Sequence, residues 1–325
     1  MPFFQGKLFF YQPFGATACI SLFWICSVVC LPVQDSLGAN EKPISGIGPV
    51  GRITKVQGDL LFTEGPVSDG KGNLYFTDIP ANRIYKIDKT GDLDVFREPS
   101  GHANGLMFLA SGELAACEMD GQVVALSPLG KSRRVLAAGY MGKRFNAPND
   151  LVVDHHGGVY FTDPHFRAPT PLPQGKRAVY YVSSDGNVSR LIDDLPAPNG
   201  VILSIKEDLL YVVPSQQAEM MAYQVTGPGK LGPGHVFCRL KQSPGRSGSG
   251  GDGLTIDVRG NLYIASGLGI QVFNPAGELL GVIKLPEVPA NVTFGGPGNK
   301  TLFATARTSL YSMKMEIPGY RFPGK

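Results

Sequence analysis

Six polar side chains recur along the chain, and all but one are followed by a small or apolar residue. They are Glu64, Asn104, Asn149, Asn199, Asp252 and Asn291, at successive intervals of 40, 45, 50, 53 and 39 residues. Two carboxylates and four amides make a set of oxygen donors without Cys or His, which suits calcium, magnesium or manganese better than zinc. Carboxylates brought together without a cation would be costly to bury. The pattern therefore predicts a divalent metal site if these residues converge.

The same residue types have a second explanation that involves no ligand. Asn, Asp and Gly often satisfy backbone groups in tight turns. Six copies in register favour a shared site, and Pro148 and Pro198 directly precede two of the asparagines.

Short strands must position these polar residues. A strand rich in β-branched and aromatic residues follows each of them after a turn. These strands are predicted at 73–78, 113–118, 158–163, 208–213, 261–266 and 300–305. Third strands are predicted at 83–87, 123–126, 179–182, 221–225, 270–273 and 310–313, with clear turns into a fourth strand at 88–92, 183–187 and 274–277.

Repeats of about 45 residues with four short strands each are typical of propeller blades. Six repeats predict an all-β, six-bladed β-propeller, and no amphipathic stretch of ten residues competes with this interpretation. The first strand of each blade lines the central channel, so the six polar residues would meet at one mouth of it. Residues 50–53 are expected to close the ring beside the last blade, and residues 242–251 to form a flexible loop.

Composition and charge narrow the class of partner. The 325 residues include 42 Gly and 26 Pro, with 43% apolar residues, which suits many short strands and still leaves a substantial core. The net charge is only +3, and the longest basic run is Lys131 to Arg134. This distribution argues against nucleic acid and favours a small neutral or anionic substrate.

The first 39 residues differ from the rest. Lys7 is the only charged residue before Asp35, and an apolar stretch is followed by small residues near Ala39. This pattern is typical of a secretory signal peptide, with an uncleaved membrane anchor as the alternative. We therefore expect an exported protein, periplasmic or secreted, without a membrane segment apart from this leader.

Cysteine usage does not indicate a disulfide framework. Cys19, Cys26 and Cys30 fall in the leader, which leaves Cys117 and Cys238 in the exported part. An export route permits a bond between these two. Their strand positions favour two unpaired thiols.

Several motifs resemble those of the senescence marker protein and gluconolactonase family, the regucalcin-like sugar lactonases. The resemblance covers about residues 61–319. Its motifs are TEGPVSDGKGNLYFTD, FNAPNDLVVDHHGGVYFTDP, PNGV, GDGLTIDVRGNLYIAS and LPEVPANVTFGG, in that order. Together with the leader pattern, the resemblance divides the chain into the leader (1–39), a linker with the possible closing strand (40–60), the propeller (61–319) and a tail (320–325).

The resemblance also implies roles for individual residues. A divalent ion, expected to be calcium with zinc, manganese or magnesium as alternatives, would be held on the propeller axis. Its expected ligands are Glu64, Asn149, Asn199 and Asp252. Asn104, His102, Asp163 and His165 are expected to contact substrate or to support the ligands. Asn291 is expected to stabilise a turn.

The family's reaction is the hydrolysis of lactones or related esters. A metal ion can polarise a lactone carbonyl and activate water, and four protein ligands leave coordination positions open. Asp252 is the expected catalytic base, with Asp150 and Asp163 as alternatives. A histidine dyad, as in the paraoxonases, is a further alternative, whereas no Gly-x-Ser-x-Gly turn stands between a strand and a helix.

Three functions remain open at this point. The first is a metal-dependent lactonase acting on a sugar lactone such as gluconolactone. The second is a non-catalytic propeller that binds a ligand or a partner, since fold does not determine function. The third is an esterase acting on another lactone or a phosphotriester.

Overall fold

Each of the six sequence repeats forms one four-stranded antiparallel sheet. The structure, a computed structural model, describes residues 43–245 and 247–323. Within these residues six sheets are present, and together they confirm the all-β, six-bladed propeller. The predicted leader lies outside the described residues.

The first three blades each use four consecutive strands. Blade 1 contains β2 (Thr63–Ser68), β3 (Leu74–Asp78), β4 (Arg83–Ile87) and β5 (Leu93–Arg97). Blade 2 contains β6 (Ala103–Phe108), β7 (Leu114–Glu118), β8 (Gln122–Leu126) and β9 (Arg133–Ala137). Blade 3 contains β10 (Leu151–Val153), β11 (Val159–Asp163), β12 (Ala178–Val182) and β13 (Val188–Ile192).

The remaining strands complete the ring. Blade 4 contains β14 (Pro198–Leu203), β15 (Leu209–Pro214), β16 (Glu219–Gly227) and β17 (Lys230–Arg239). Blade 5 contains β18 (Gly251–Ile256), β19 (Leu262–Ser266), β20 (Gly269–Phe273) and β21 (Leu279–Ile283). Blade 6 contains β22 (Pro289–Gly295), β23 (Thr301–Ala306), β24 (Ser309–Lys314) and, as its outer strand, β1 (Val50–Gln57).

The ring closes through the pairing of its two ends. β1 pairs antiparallel with β24, with Thr54 opposite Ser312. The sixth blade therefore takes its outer strand from the beginning of the chain, which confirms the prediction for residues 50–53. Because the chain runs from β1 into β2 of blade 1, this hydrogen-bonded pairing ties the first blade to the last and closes the ring.

Burial falls from the channel outwards within a blade. All six residues of β2 and all five of β3 are buried, whereas the outer strand β5 exposes Asp94 and Val95. The inner strands pack against neighbouring blades on both faces, which explains their nearly continuous apolar and small residues. The inner strands therefore provide a rigid frame for the side chains at the channel mouth.

The chain beyond the last strand folds back under the ring. The amide of Gly319 donates to the carbonyl of Asn299 (2.8 Å), and that of Tyr320 donates to Ile256 (2.9 Å). Phe322 is buried and lines a cavity on the axis together with Asp150 and Asn291. The channel is therefore filled by an aromatic side chain at the end opposite the predicted site.

Two further features bear on the earlier predictions. Cys117 and Cys238 are both buried and unbonded, as expected.

Within residues 43–245 and 247–323, no helix is long and apolar enough to cross a membrane.

Candidate metal and catalytic site

The six recurring polar residues all lie at the channel-side ends of their blades. Five of them are among the first residues of β2, β6, β14, β18 and β22. Asn149 lies two positions before the first residue of β10. Five of the six are buried, with exposures of 3% to 6%: Glu64, Asn104, Asn149, Asn199 and Asn291. Asp252 keeps a partly accessible surface, so it is the member best placed to meet a solute at the mouth.

Direct contacts connect several members of this set across blade boundaries. The Asn291 side-chain amide donates to Glu64 Oε2 (3.1 Å), which also accepts the Gly65 amide (2.9 Å). The Asn199 side chain donates to the Asp252 carboxylate and, through Nδ2, to Ser215 Oγ (2.9 Å). With its amide nitrogen engaged in these contacts, Asn199 retains its carbonyl oxygen as a donor for a cation.

Three carboxyl groups share this region, two of them buried and the third, Asp252, partly accessible, and all have raised pKa values. Burial, followed by repulsion from Asp252, raises the pKa of Glu64 well above its usual range. Burial raises the pKa of Asp150 to about 7, and the nearby Asp252 carboxylate adds to this. Burial also raises the pKa of Asp252 to about 7, against the lowering effects of Asn199 and Arg307. A divalent cation would relieve both the lost hydration and the repulsion.

An unsatisfied oxygen supports the same conclusion. Asn104 Oδ1 is buried and has no hydrogen-bond partner in the described part of the chain. Buried amide oxygens are nearly always paired, so this one fits a ligand or a substrate group. No cluster of three His, Cys, Asp or Glu suited to a metal occurs in residues 43–245 and 247–323. The expected ligand set contains only two acids and relies on amide oxygens, which a hard cation accepts.

Glycines after the polar residues let the inner strands approach one another. A Cβ on Gly65 would lie 1.9 Å from the Asn104 carbonyl oxygen, and a Cβ on Gly200 would lie 2.3 Å from that of Asp252. Any side chain at either position would force neighbouring blades apart. Blade 3 differs because Asp150 occupies the corresponding position, and its carboxyl therefore faces the channel.

The repeated Phe-Thr-Asp sequence positions the site through two kinds of contact. Thr77 donates to the carbonyl of Asn104 (3.1 Å) and Thr162 to that of Asn199 (2.7 Å), so each threonine holds the polar residue of the next blade. Asp78 accepts the amides of Leu61 (2.9 Å) and Phe62 (3.1 Å), just before Glu64. The repeat thus fixes both the start of its own blade and its neighbour.

Asp163 has the same role in blade 3, which is the supporting role that the sequence left open beside contact with substrate. It is completely buried, and its two oxygens accept the amides of Asn146 (2.8 Å) and Ala147 (2.7 Å). These bonds hold the segment that leads into Asn149. Asp163 is therefore a positioning residue, and it has no accessible oxygen with which to act as a base.

The two candidate histidines lie on loops near the mouth. His102 Nδ1 pairs with Asp120 (3.0 Å), beside the segment that enters β6. His165 lies between β11 and β12, and its buried Nδ1 has no partner in the described residues. Burial and the nearby Arg177 lower the pKa of His165. The His165 side chain as a whole is half-buried, so the ring keeps an accessible part near the mouth.

A histidine dyad finds no support at the mouth. The adjacent rings of His155 and His156 have centroids 3.9 Å apart. They lie in the turn between β10 and β11, at the opposite end of the blade 3 sheet from Asn149. The His155 side chain is 59% exposed.

Asn291 corrects one sequence prediction. It was expected to stabilise a turn, but its side chain faces the channel and contacts Glu64. The sequence did contain the relevant signal, because Asn291 is the sixth member of the repeat. The axial cavity of about 40 Å³ that Asn291 shares with Asp150 and Phe322 had no sequence signal, and it is large enough to hold a water molecule.

Two larger cavities lie away from this site. One of about 310 Å³ is lined by Asp154, Tyr160 and Glu207, and the other, of about 410 Å³, lies beside Arg134 and Ser184. None of the predicted ligands borders either cavity.

Comparison with known proteins agrees with the geometry. The family described as SMP-30/Gluconolactonase/LRE-like region matches residues 62–308. The chain belongs to this family. The matched range contains all six polar residues, whereas β1 and the segment carrying Phe322 lie outside it.

Individual members of the SMP-30/gluconolactonase family resemble most of the chain. A gluconolactonase of Zymomonas mobilis is 32% identical over 82% of this chain and 82% of its own. A diisopropyl-fluorophosphatase of Loligo vulgaris is 27% identical over 81% of this chain and 91% of its own. The solved structure of a Xanthomonas campestris gluconolactonase has a TM-score of 0.74, at 29% identity, over 81% of this chain and 89% of its own.

Proposed function

We propose that this protein is a metal-dependent lactonase whose ion is held by Glu64, Asn149, Asn199 and Asp252. The observation that carries the proposal is the convergence of buried carboxyl and amide groups at one mouth of the channel, with pKa values of Glu64 and Asp252 raised by burial. The names of the gluconolactonase and lactonase relatives support hydrolysis of a lactone.

The donor set favours calcium, with magnesium, manganese and zinc as alternatives. Carboxylate and amide oxygens are hard ligands, and calcium tolerates their irregular arrangement better than magnesium does. When bound, such an ion would polarise the lactone carbonyl and lower the pKa of water. The remaining chemistry belongs to the side chains of the chain itself.

Asp252 is the side chain best suited to act as the base. It is partly accessible, whereas Asp150 is buried and accepts hydrogen bonds from the amides of Leu151 and Val201. The Asn199 amide fixes the Asp252 carboxylate through a hydrogen bond. A carboxylate held in this way can accept the proton of an attacking water molecule. Asn104 and His165 each offer an unpaired polar atom to the substrate.

Activity against lactones tests this proposal. We would follow acid release from a lactone panel that includes gluconolactone, with chelator and then with added calcium, magnesium, manganese or zinc. We expect turnover to be lost with chelator, restored by one ion and abolished in Asp252→Asn. Asp88→Asn is a matched control, since Asp88 closes a surface turn and bonds only neighbours such as Thr90.

Two other functions give different results in the same experiment. A non-catalytic binding propeller would stay folded and bind the ion without hydrolysing any lactone. A phosphotriesterase, which the relative named diisopropyl-fluorophosphatase suggests, would hydrolyse phosphotriesters faster than every lactone.

We also propose that the protein is exported through its first 39 residues. The support is the charge and apolar pattern of this segment alone. Edman sequencing of the mature protein should begin near residue 40, and a retained first residue would show an uncleaved anchor instead.

A further inference from the structure

An apolar cluster separate from the propeller core lies beside the proposed site. It consists of Ile79, Met119 and Ala147, which are buried, and Phe62, Phe166 and Ala168, which are half-buried. Blades 1, 2 and 3 all contribute to it. We call these six residues the apolar wall.

The apolar wall adjoins the proposed metal ligands. Phe62 lies two residues before Glu64, and Ala147 lies two residues before Asn149. The Ile79 amide donates to the Phe62 carbonyl (3.1 Å), which joins the turn after β3 to the segment before β2. Met119 follows β7 in the same way that Ile79 follows β3. All these positions are at the ends of the sheets that carry the ligands.

Backbone bonds fix the position of the wall. Asp78 accepts the Phe62 amide (3.1 Å), and Asp163 accepts the Ala147 amide (2.7 Å). The same two carboxylates position the ligand segments. The positions of Phe62 and Ala147 relative to the ligands are therefore set by buried strands, whereas Phe166 and Ala168 lie in the loop between β11 and β12.

Arg307 covers part of the Phe62 ring. Its guanidinium lies 5.4 Å from the ring centroid, and its carbonyl accepts the Thr63 amide (2.8 Å). The charge of Arg307 also reaches Asp252, whose pKa it lowers. Arg307 therefore connects the wall to the opposite side of the mouth, and a cation over an aromatic face helps to fix that ring.

The chemistry of the wall suits apolar atoms of a substrate. None of its six side chains carries an N–H or O–H group, so hydroxyl groups placed against it would give up hydrogen bonds to water without replacement. Methylene or aromatic carbons placed there would gain from leaving water. We infer that Phe62, Phe166 and Ala168, the half-buried members of the wall, make this site selective for lactones with an alkyl or aryl substituent over polyhydroxylated sugar lactones. The inference rests on the proposed lactonase function.

A series of lactones with one ring size tests the selectivity. We would compare kcat/KM for δ-valerolactone, δ-hexalactone, δ-octalactone, δ-decalactone and D-glucono-δ-lactone with the metal-loaded protein. We expect kcat/KM to rise by up to about fourfold per methylene that reaches the wall, mainly through KM. D-Glucono-δ-lactone should be slower than δ-valerolactone. A flat alkyl series, or a preference for D-glucono-δ-lactone, would overturn the inference.

Replacement of a wall residue should act on the substituent alone. We expect Phe166→Ala to lower kcat/KM for δ-decalactone at least tenfold and to leave δ-valerolactone within twofold, with Phe166→Leu restoring most of the loss. Phe96→Ala is the matched control, because Phe96 is also half-buried but packs against Tyr75 in the outer part of blade 1 (5.0 Å). Equal losses for both lactones in Phe166→Ala would contradict the inference.

The outcomes separate the two proposals. Hydrolysis of lactones without any gain from alkyl substituents rejects the apolar wall and leaves the lactonase function in place. Failure to hydrolyse every lactone with every ion rejects both. The chain-length series with the unmodified protein decides the question even if Phe166→Ala does not fold.

Discussion

Removal of the metal ion should make the stability of the protein depend on pH in a direction set by its buried acids. Burial raises the pKa of Asp150 and of Asp252 from 3.8 to about 7, and it also raises that of Glu64. The folded state of the metal-free protein then binds more protons than the unfolded state between these values. Its stability should therefore increase as the pH falls from 8 to 5 and be lost again as the pH rises through 7.

The size of this effect follows from the pKa values. One acid with a pKa of 3.8 unfolded and about 7 folded contributes about 3 kcal/mol between pH 8 and pH 5. The carboxyl groups of Glu64 and Asp252 titrate together, so their contributions do not simply add. A gain of about 3 kcal/mol corresponds to a rise in Tm on the order of 5 °C or more for a domain of this size.

The measurement is thermal unfolding from pH 5 to pH 8 in excess chelator and in saturating calcium. A bound ion should keep the ligand carboxylates ionised, so Tm should vary less with pH in calcium than in chelator. For the same reason the affinity for calcium should fall towards pH 5. Burial also raises the pKa of Asp163 to about 7, but Asp163 lies away from the ligands. It contributes to both curves and cancels in their difference.

Asp150→Asn provides the internal check. The variant removes one titrating acid from the axial cavity and should reduce the gain in stability on acidification in chelator. A chelated protein whose stability is constant, or which loses stability from pH 8 to pH 5, would refute the reasoning that these acids are strained without a cation.

Three other changes test the packing. Gly200→Ala places a Cβ 2.3 Å from the Asp252 carbonyl oxygen, so it should lower the free energy of unfolding in urea by at least about 2 kcal/mol. Gly267→Ala, whose Cβ meets nothing within 4 Å, should be nearly neutral. Similar losses in the two variants would contradict the close approach of the inner strands. Phe322→Ala should cost about 3 kcal/mol because it empties the closed end of the channel, and an unchanged midpoint would show that the channel does not need this side chain. Burial raises the pKa of the Cys117 thiol, so it should react with a thiol reagent only on unfolding, and rapid labelling of the folded protein would contradict its burial.

The strands could be predicted from the sequence because their signals are local. The predicted strand at 83–87 is β4 itself, and 158–163 differs from β11 by one residue. Alternating apolar residues and glycine-bearing turns determine such elements within a few positions. The repeat also predicted the number of blades and the six channel residues, since positions equivalent in the repeats become equivalent in space.

Contacts across blade boundaries required the tertiary structure. Asn291 meets Glu64 across 227 positions of sequence, and the turn role expected for Asn291 was wrong for that reason. Asp163 likewise appeared as a candidate for substrate contact until its oxygens were found bonded to Asn146 and Ala147. Neither partner can be identified from the neighbouring residues alone.

The sequence alone thus determined the all-β architecture, the six repeats and the oxygen-rich residue types at their starts. Only the closed ring decided which of these side chains touch, which carboxyl groups lose water and which apolar residues line the mouth. The physical reason is that the pairing of consecutive strands within a blade depends on residues close together in the sequence. Burial and charge repulsion depend instead on blades brought together when β1 pairs with β24.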